Sequence, residues 1–460
     1  MSVVTAGAGG APTPAAALPT VVGTGWRAVL PDGRPARVVQ LNNAATTPPF
    51  AATLDAVDGF LGRYGALHRG AGPRARATCD AVADAIAAIR EFIGCPGDNE
   101  LLFTSNTSTA INLLARLLDL AADEVVLTSL VEHTSNNLPW RYNTAACVVE
   151  VLADDTGALD YGDLAHRLSE HKGKVRLVAV TGASNLTGFV ADLPRLADLA
   201  HRADALLFVD GAQLAPHRPI DMTADGVDAL AFSAHKLYAP FGIGVLSLPA
   251  RLLERRPVDP GGGSIDMLDG NGLVWAPPDQ RHQVGTWNGT GVVAAGASCR
   301  AILGCGWPRL LDHERELVEY AAARLAKLRG LTLFVPPERY RADGRIGTFP
   351  FSLAGMHHAL VAAILEYEYG IEVRAGTICN HRLVRRWFSI PDKTQADIAR
   401  RISAGDRLAS YGVVRVSLGL HNTVGDVDAV VEALDRIVTS GPALAYRRVP
   451  SDETFEAVID

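Results

Sequence analysis

Between residues 38 and 303 the sequence alternates short apolar runs of strand length with longer runs in which apolar residues recur at helical spacing. This alternation predicts a mainly parallel β-sheet with helices on both faces. In open sheets of this kind, ligands bind beyond the carboxyl ends of the strands. The pattern therefore predicts an α/β fold class and also the edge of the sheet at which functional residues are expected.

From about residue 307 the pattern changes, and it predicts a separate, smaller α+β domain with helices at 310–328 and 358–367 and strands at 331–335 and 347–353. The expected division is a disordered tail, a large domain whose first residues are free to pack with the small domain, the small domain and a second tail, at 1–24, 25–305, 306–445 and 446–460. The segment 381–410 is long and contains a predicted amphipathic helix at 392–410, which makes it a candidate lid.

The net charge of −7 and a pI near 6.0 give no electrostatic footprint for nucleic acid or an anionic membrane. Apolar residues make up 48% of the chain, yet no apolar run is long enough to span a bilayer. The six cysteines form no C-x-x-C pair, so no metal site is expected. With no secretion signal visible, we expect reduced thiols in a cytoplasm.

One lysine, Lys236, follows the apolar run 228–232 and the triplet Ser233, Ala234 and His235. Such a lysine is most often a charge turned to solvent. Here its small and apolar neighbours favour burial, and burial lowers the pKa of a lysine so that it becomes a nucleophilic amine able to form a Schiff base with an aldehyde.

A second cluster of polar residues stands where a strand ending at Thr104 gives way to a helix beginning near Thr109. Thr107 and Ser108 lie at this helix start. Free amides and hydroxyls there can bind a phosphate group, although helix capping alone would also explain them.

Several ordered motifs resemble the class V aminotransferase and cysteine desulfurase family of pyridoxal-phosphate enzymes, which has fold type I. The resemblance covers about residues 41–434 and rests on S-A-H-K at 233–236, D-x-A-Q at 210–213, E-H-x-x-N-x-x-P-W at 132–140 and R-x-G-x-x-C at 374–379. Asn42, Thr109 and His421 replace the Asp, Glu and Tyr that the family usually carries. The implied fold has a mostly parallel, seven-stranded sheet with helices on both faces.

This resemblance implies pyridoxal 5'-phosphate as cofactor, with Lys236 as its Schiff-base lysine and Asp210 as partner of its pyridinium nitrogen. His133 is implied to stack on the ring. The other implied cofactor contacts are Thr107, Ser108, Asn185, Gln213, Ser233, His235 and, from the partner subunit of a homodimer, Thr286. Asn185 has a simpler interpretation as a turn residue, and His68 and Arg69 could line the site or cap a loop.

The implied reaction is that of a cysteine desulfurase or selenocysteine lyase, with Lys236 as base, Arg415 holding the substrate carboxylate, and Arg374 and Asn42 beside it. Cys379 would take the sulfur as a persulfide while alanine leaves, and a sulfur-acceptor protein is a candidate partner. Its polar neighbours Asn380, His381 and Arg382 are expected to favour the thiolate.

Other reactions on the same scaffold remain open, namely β-elimination by a C–S lyase, transamination, or epimerisation in secondary metabolism. A free cysteine is usually buried and inert, so the choice of reaction depends on Cys379. A third class, a binding protein that kept the fold and lost its chemistry, is disfavoured by intact Lys236, Asp210 and His133.

Overall fold

The structure is a computed structural model that describes residues 17–67, 70–270 and 272–459. His68 and Arg69, together with most of the predicted N-terminal tail, lie outside the described residues. No helix in these ranges combines the length and the hydropathy needed to cross a membrane.

The strands in chain order are β1 (Arg27–Val29), β2 (Pro35–Arg37), β3 (Val39–Gln40), β4 (Asn99–Thr104), β5 (Val125–Ser129), β6 (Cys147–Val151), β7 (Val175–Thr181), β8 (Leu206–Asp210), β9 (Ala229–Ser233), β10 (Gly244–Pro249), β11 (Ile265–Asp269), β12 (Gly272–Trp275), β13 (Leu331–Leu333), β14 (Thr348–Leu353), β15 (Ile371–Glu372), β16 (Arg374–Gly376), β17 (Val413–Ser417), β18 (Ala445–Val449) and β19 (Thr454–Val458).

The α-helices are α1 (Ala51–Leu61), α2 (Pro73–Phe92), α3 (Thr107–Leu118), α4 (Leu138–Tyr142), α5 (Tyr161–Glu170), α6 (Leu193–His201), α7 (Met222–Asp225), α8 (Pro278–Arg281), α9 (Gly289–Cys305), α10 (Trp307–Leu325), α11 (Pro337–Ala342), α12 (His358–Tyr369), α13 (His381–Trp387), α14 (Asp392–Ser403) and α15 (Val424–Ser440).

The main sheet has seven strands in the order β4-β10-β9-β8-β7-β5-β6. Strand β10 runs antiparallel to both of its neighbours, whereas the pairs from β9 to β6 are parallel. The predicted mostly parallel, seven-stranded α/β sheet is therefore confirmed.

Alternating side chains bury the two faces of this sheet separately, as the two-residue period of a strand requires. On β7, Leu177 and Ala179 pack in a core with α3 and Trp140. Val178 and Val180 point the other way, into the larger core formed with α1, α2, α5, α6 and α9. Both faces are covered by helices, so the strand ends are the part of the sheet left open for a ligand.

A second, antiparallel sheet, β13-β14-β17-β16, carries its own apolar core with α10, α12 and α15. Strand β3 reaches this unit from the start of the chain and pairs with β15, Val39 opposite Ile371. Residues early in the chain therefore pack with the smaller sheet.

Two segments predicted as tails are partly ordered. Val21 is buried and forms a bridge with Phe50, so the described residues 17–24 pack on α1 rather than hang free. Residues 445–458 form the antiparallel hairpin β18–β19, which packs against α12 and brings Phe455 next to His357, with ring centroids 5.8 Å apart. The hairpin was missed because its strands are short and mostly half-exposed.

The predicted helix at 392–410 is present but shorter, as α14, and it ends before Gly405. None of its residues is buried. The helix lies outside the three cores described above, and Tyr411 attaches it by donating a hydrogen bond of 2.9 Å to Gln395.

Candidate active site

A cavity of about 420 Å³ opens at the carboxyl ends of β7, β8 and β9, between the main sheet and the smaller unit. This is the edge at which open α/β sheets bind ligands. The predicted site residues that line it are Thr107, Ser108, His133, Asn185, Asp210, Gln213, Ser233, His235, Lys236, Arg374, Cys379 and Arg415. Of the residues predicted for the site, the structure keeps Asn42 and Thr286 out of this lining.

Lys236 ends a single 3-10 turn, Ala234–Lys236, that follows β9 directly. Burial lowers the pKa of its amine from 10.5 to about 8, and the nearby Arg415 lowers it further, while the charge of Asp210 opposes this. The amine is therefore held in a strand-end turn in a state close to its nucleophilic, neutral form.

Asp210, the last residue of β8, is buried, and its Oδ1 accepts a hydrogen bond of 3.0 Å from the backbone N–H of Ala212. Burial raises the pKa of the carboxyl group, and the charge of Lys236 acts against this rise. Within the described residues Asp210 forms no salt bridge. A buried carboxylate without an ion-pair partner fits a cationic group of a ligand.

The ring of His133 is uncharged. Its Nδ1 accepts a hydrogen bond of 3.1 Å from the backbone N–H of Ser135, so the ring hydrogen is on Nε2. Burial lowers its pKa to about 3, and the charges of Lys236 and Arg415 contribute. A neutral, half-buried imidazole can stack on an aromatic ligand without bringing a charge into the cavity.

Glu132 fixes the loop that carries His133. Its buried carboxyl group accepts hydrogen bonds from the backbone N–H of Thr181, at 3.0 Å, and from Nδ2 of Asn136, at 2.6 Å. Trp140 in turn donates from Nε1 to Oδ1 of Asn136, at 3.0 Å. The motif that carries His133 is thus anchored to the end of β7, and burial raises the pKa of Glu132 to about 8.

The start of α3 forms the hydroxyl-rich end of the cavity. The backbone N–H of Thr107 donates to Oγ of Ser233 at 2.7 Å, which ties this helix start to the turn that carries Lys236. Oγ of Ser108 lies 2.5 Å from Oγ of Ser135. With the helix N-terminus directed at this corner, the arrangement suits an anion such as phosphate.

The side chains of His235 and Thr109 instead contact Thr46 and Asn106. Nδ1 of His235 lies 3.2 Å from Oγ1 of Thr46, and burial lowers the pKa of the imidazole to about 4, so the ring is neutral. The Thr109 hydroxyl donates to Oδ1 of Asn106, at 3.2 Å. The residue that replaces the usual Glu therefore completes the helix cap.

Two amide side chains expected to face a cofactor oxygen already have protein partners. Asn185 donates from Nδ2 to the backbone oxygen of Ile378 at 3.0 Å, and Gln213 donates from Nε2 to that of Ala44 at 2.6 Å. Each amide retains a second N–H. Oε1 of Gln213 is buried and has no partner among the described residues, which leaves it available to a bound group.

Arg415 lies on β17, is fully buried and donates to two neutral acceptors, the backbone oxygen of Asn185 and Oδ1 of Asn42, both at 2.9 Å. Burial lowers its pKa to about 9, and the neighbouring Arg374 lowers it further. Asn42, which does not line the cavity, therefore helps to hold the guanidinium of Arg415 in place. No carboxylate from the described chain pairs with this guanidinium, which suits the carboxylate of a ligand.

Arg374 is directly opposite Arg415 in the β16–β17 register. Side chains of such a pair project from the same face of a sheet, and like charges in these positions repel. Arg374 is exposed and lines the cavity, so two cationic side chains meet at its wall. The repulsion between these two cations is relieved when an anionic ligand binds between them, so the arrangement favours such a ligand.

Cys379 lies in the cysteine loop, residues 376–381, and the backbone of this loop is strained. Ile378 and Cys379 have φ of 52° and 55°, which is rare for residues with a side chain and costs about 1–3 kcal/mol for each. Three hydrogen bonds hold the loop against the segments that follow β5 and β7: Thr134 N–H to Cys379 O at 3.0 Å, Asn185 Nδ2 to Ile378 O at 3.0 Å, and Asn380 Nδ2 to Val131 O at 2.8 Å.

The expectation that three polar neighbours favour the Cys379 thiolate needs correction. Arg382 is turned toward Glu150, at 2.8 Å, and burial lowers the pKa of His381, so its ring is neutral. Asn380 is occupied in holding the loop. The positive charges that Cys379 does face are those of Lys236 and Arg415.

The sequence pattern of the family described as aminotransferase class-V matches residues 39–430. The chain belongs to the aminotransferase class-V family. Relatives include a probable cysteine desulfurase of Halalkalibacterium halodurans, 32% identical over 87% of this chain and 93% of the relative, and a cysteine desulfurase of Escherichia coli, 30% identical over 86% and 92%.

Solved structures of class-V relatives agree with this assignment. The S-sulfonic acid form of the cysteine desulfurase CsdA from Escherichia coli is 29% identical, with a TM-score of 0.73 over 87% of this chain and 94% of that one. The apo cysteine desulfurase of Thermococcus onnurineus is 26% identical, with a TM-score of 0.76 over the same shares. The type I fold implied by the motifs is therefore confirmed.

Thr286 of this class-V chain lies in a separate cleft, with Gly262 and Gly285. It does not reach the cavity of its own chain. A contribution from a partner subunit therefore stays a prediction.

Sequence reasoning missed several residues that line the class-V cavity, namely Ala44, Ala45, Ser135, Thr181, Ala183, Ala212 and Ile378. Thr181 ends β7 as Asp210 ends β8, and the two are paired in register. The rule that places ligand groups at strand ends could have found Thr181. The sequence gives no such signal for Ile378, because its contact with Asn185 is made by the backbone oxygen and does not depend on the side chain.

Proposed function

We propose that this protein is a pyridoxal-phosphate-dependent cysteine desulfurase, which removes sulfur from L-cysteine or a related amino acid such as selenocysteine and releases alanine. One observation carries the proposal. A single cavity holds the buried amine of Lys236, the unpaired carboxylate of Asp210 and the thiol of Cys379, beside the guanidinium of Arg415.

The residues present fit pyridoxal phosphate. When bound, the cofactor supplies an aldehyde that reacts with amines and a ring that accepts electrons from the substrate carbon. Lys236 offers the amine, Asp210 an anion for the ring nitrogen, and His133 a neutral ring for stacking. The helix start at Thr107 offers the phosphate site, and the free Oε1 of Gln213 supports the presence of a further polar group.

The chain's own residues then divide the work. Arg415 holds the α-carboxylate of the substrate, since both of its present partners are neutral oxygens. Lys236 removes the α-proton as a general base, because a pKa of about 8 leaves its amine partly neutral near physiological pH. Asp210 keeps its negative charge at the ring nitrogen.

Cys379 accepts the sulfur. Its thiolate Sγ bonds to the substrate sulfur as the substrate's carbon–sulfur bond breaks, and the electron pair of that bond stays with the carbon. That carbon takes up a proton and leaves as alanine, while Cys379 retains a persulfide. The sulfur then passes to a thiol acceptor, which we propose is carried by a partner protein.

We propose further that the enzyme works as a homodimer in a cytoplasm. Thr286 lies outside its own cavity, as a residue that serves a second copy would. All six cysteines are free thiols, which agrees with a reducing compartment.

The test is replacement of Cys379 by Ala, followed by measurement of alanine and sulfide from L-cysteine in the presence of a thiol reductant. We expect both products to fall about 100-fold or more, because the nucleophile is lost. The absorbance of the bound cofactor stays as in the wild type. Cys147→Ala, at an exposed cysteine on the start of β6, is the control and keeps full activity. Unchanged alanine formation in Cys379→Ala would contradict the persulfide mechanism.

One observation favours β-elimination as a second candidate. Arg382 pairs with Glu150 and burial lowers the pKa of His381, so neither residue places a positive charge on the Cys379 thiol. An elimination enzyme would produce pyruvate and ammonia in place of alanine, and the same incubation distinguishes the two reactions.

A further inference from the structure

The C-terminal hairpin, β18–β19, lies beyond the part of the chain that the family pattern matches, which ends at residue 430. The two residues just before it are held by Glu368 of α12, whose carboxylate accepts hydrogen bonds from the backbone N–H groups of Ala443 and Leu444 at 2.9 to 3.0 Å. The buried Glu368 also accepts from the hydroxyl of Tyr446, at 3.1 Å. The hairpin is thus fixed to the smaller unit.

The turn of this hairpin places one carboxylate at the base of the cysteine loop. Glu453, with φ of 56°, directs Oε1 to the hydroxyl of Ser410, which donates at 2.8 Å. The same oxygen lies over Gly376, where a Cβ atom would stand only 3.3 Å from it. Gly376 has φ of 110° and is the first residue of the cysteine loop.

A second connection joins the hairpin to the segment that follows the loop. Nη2 of Arg448 lies 3.8 Å from Asp406, and Asp406 also accepts from Arg401 of α14, at 2.6 Å. The charge of Glu453 further acts on the His381 ring at the other end of the cysteine loop. Glu453 therefore contacts the cysteine loop at Gly376 and the segment 381–410 at Ser410, and Asp406 gives that segment a second contact with the hairpin.

We propose that Glu453 is a positioning residue for Cys379. By holding Ser410 and covering Gly376, it fixes the base of the cysteine loop, whose tip is held by the hydrogen bonds to Thr134, Asn185 and Val131. The role assigned to Cys379 rests on the proposed function. The positioning itself does not, because it concerns how firmly the loop is held.

The experiment compares wild type, Glu453→Ala, Glu453→Gln and Ser410→Ala as full-length holoenzymes. The first readout is the rate at which iodoacetamide alkylates Cys379, followed by mass spectrometry of its peptide. We expect Glu453→Ala and Ser410→Ala to be alkylated roughly tenfold faster, since each loses a hydrogen bond to a charged group. Glu453→Gln retains an acceptor for Ser410 and stays within a few-fold of wild type.

The second readout is alanine formation from L-cysteine, in which kcat falls roughly tenfold in Glu453→Ala while KM changes little, since Arg415 is untouched. Glu456→Ala is the matched control, because Glu456 lies on the same hairpin and pairs there with Arg447. Equal alkylation rates in Glu453→Ala, Ser410→Ala and wild type would overturn the proposal, as would the same change in Glu456→Ala. Absence of alanine from the wild type would overturn the proposed function only, and the alkylation rates would still decide the role of Glu453.

Discussion

The two sides of the cavity are built in opposite ways. The sheet wall, formed by the strand ends at Thr181, Asp210 and Ser233 with the turn to Lys236, follows regular β geometry. The cysteine loop places Ile378 and Cys379 in a backbone conformation that their side chains disfavour. Its shape is imposed by hydrogen bonds from elsewhere in the chain. We therefore propose that the sheet wall determines which cofactor binds, and that the cysteine loop, which is supported separately, determines which reaction follows.

The largest expected effect is on the sheet wall. Replacing Lys236 with Met removes the amine and the base, so we expect product formation from L-cysteine to fall by a factor of about 1,000 or more. Steady-state assays with and without added pyridoxal phosphate measure this, with Lys327→Met, on the surface, as control. Activity within tenfold of wild type would show that the wall does not carry the chemistry.

The same variant should be more stable than the wild type when both lack cofactor. The pKa of Lys236 is lowered from 10.5 to about 8, so its amine is protonated more easily in the unfolded chain. The cost to the folded state is complete below about pH 8 and disappears as the pH rises through 10.5. We therefore expect Lys236→Met to gain on the order of 3 kcal/mol near pH 7 and far less near pH 10.

Denaturant unfolding of the cofactor-free proteins at the two pH values provides the measurement. An equal gain in stability at both pH values would show that the effect comes from packing. The lowered pKa of Lys236 would then not destabilise the folded protein.

Arg415 connects the two sides, and its replacement tests substrate binding. In Arg415→Met the carboxylate loses a charged, two-pronged partner, and we expect KM for L-cysteine to rise roughly 100-fold with a smaller change in kcat. Arg415→Lys should fall between this variant and wild type, because a lysine keeps the charge without the fork. Arg400→Met, on exposed α14, is the control. A drop in kcat alone would assign Arg415 to the cysteine loop's chemistry.

The smallest expected effect concerns the cysteine loop. Asn380→Ala removes the bond to Val131 O, so the loop loses one of its three attachments to the segments that follow β5 and β7. We expect kcat to fall about tenfold with KM nearly unchanged. Asn137→Ala, at a residue whose Oδ1 accepts a hydrogen bond from Arg141, provides the control, read by the same assay. If the two variants have the same kcat, the hydrogen bond from Asn380 to Val131 is not needed to position the cysteine loop. The proposed difference between the loop and the sheet wall would then lose support.

This contrast also explains how much of the site was readable from the sequence. Lys236 and Asp210 could be predicted because Asp210 ends a strand, Lys236 closely follows another, and parallel strands bring their carboxyl ends together. The support of Arg415 by Asn42 could not, since the two are 373 residues apart and only the fold joins them. Asn42, which is predicted to bind the substrate, accepts a hydrogen bond from the side chain predicted to hold the substrate carboxylate.

The cysteine loop was readable only in part. Its motif gave the position of Cys379, but the pairing of Arg382 with Glu150 and the neutral state of His381 depend on packing. The sequence predicts a tail where the C-terminal hairpin forms, because its two short strands gain their stability from α12, which no local pattern reveals.

Asn185 fixes the distance between two parts of the cavity. Its backbone oxygen binds Arg415 and its side chain binds Ile378, so one residue sets the spacing between the carboxylate anchor and the thiol. An amino acid whose sulfur lies one carbon farther from its carboxylate, as in homocysteine, would place that sulfur out of register with Cys379. Chain length, rather than the polarity of the side chain, is therefore the property by which we expect this site to select its substrate.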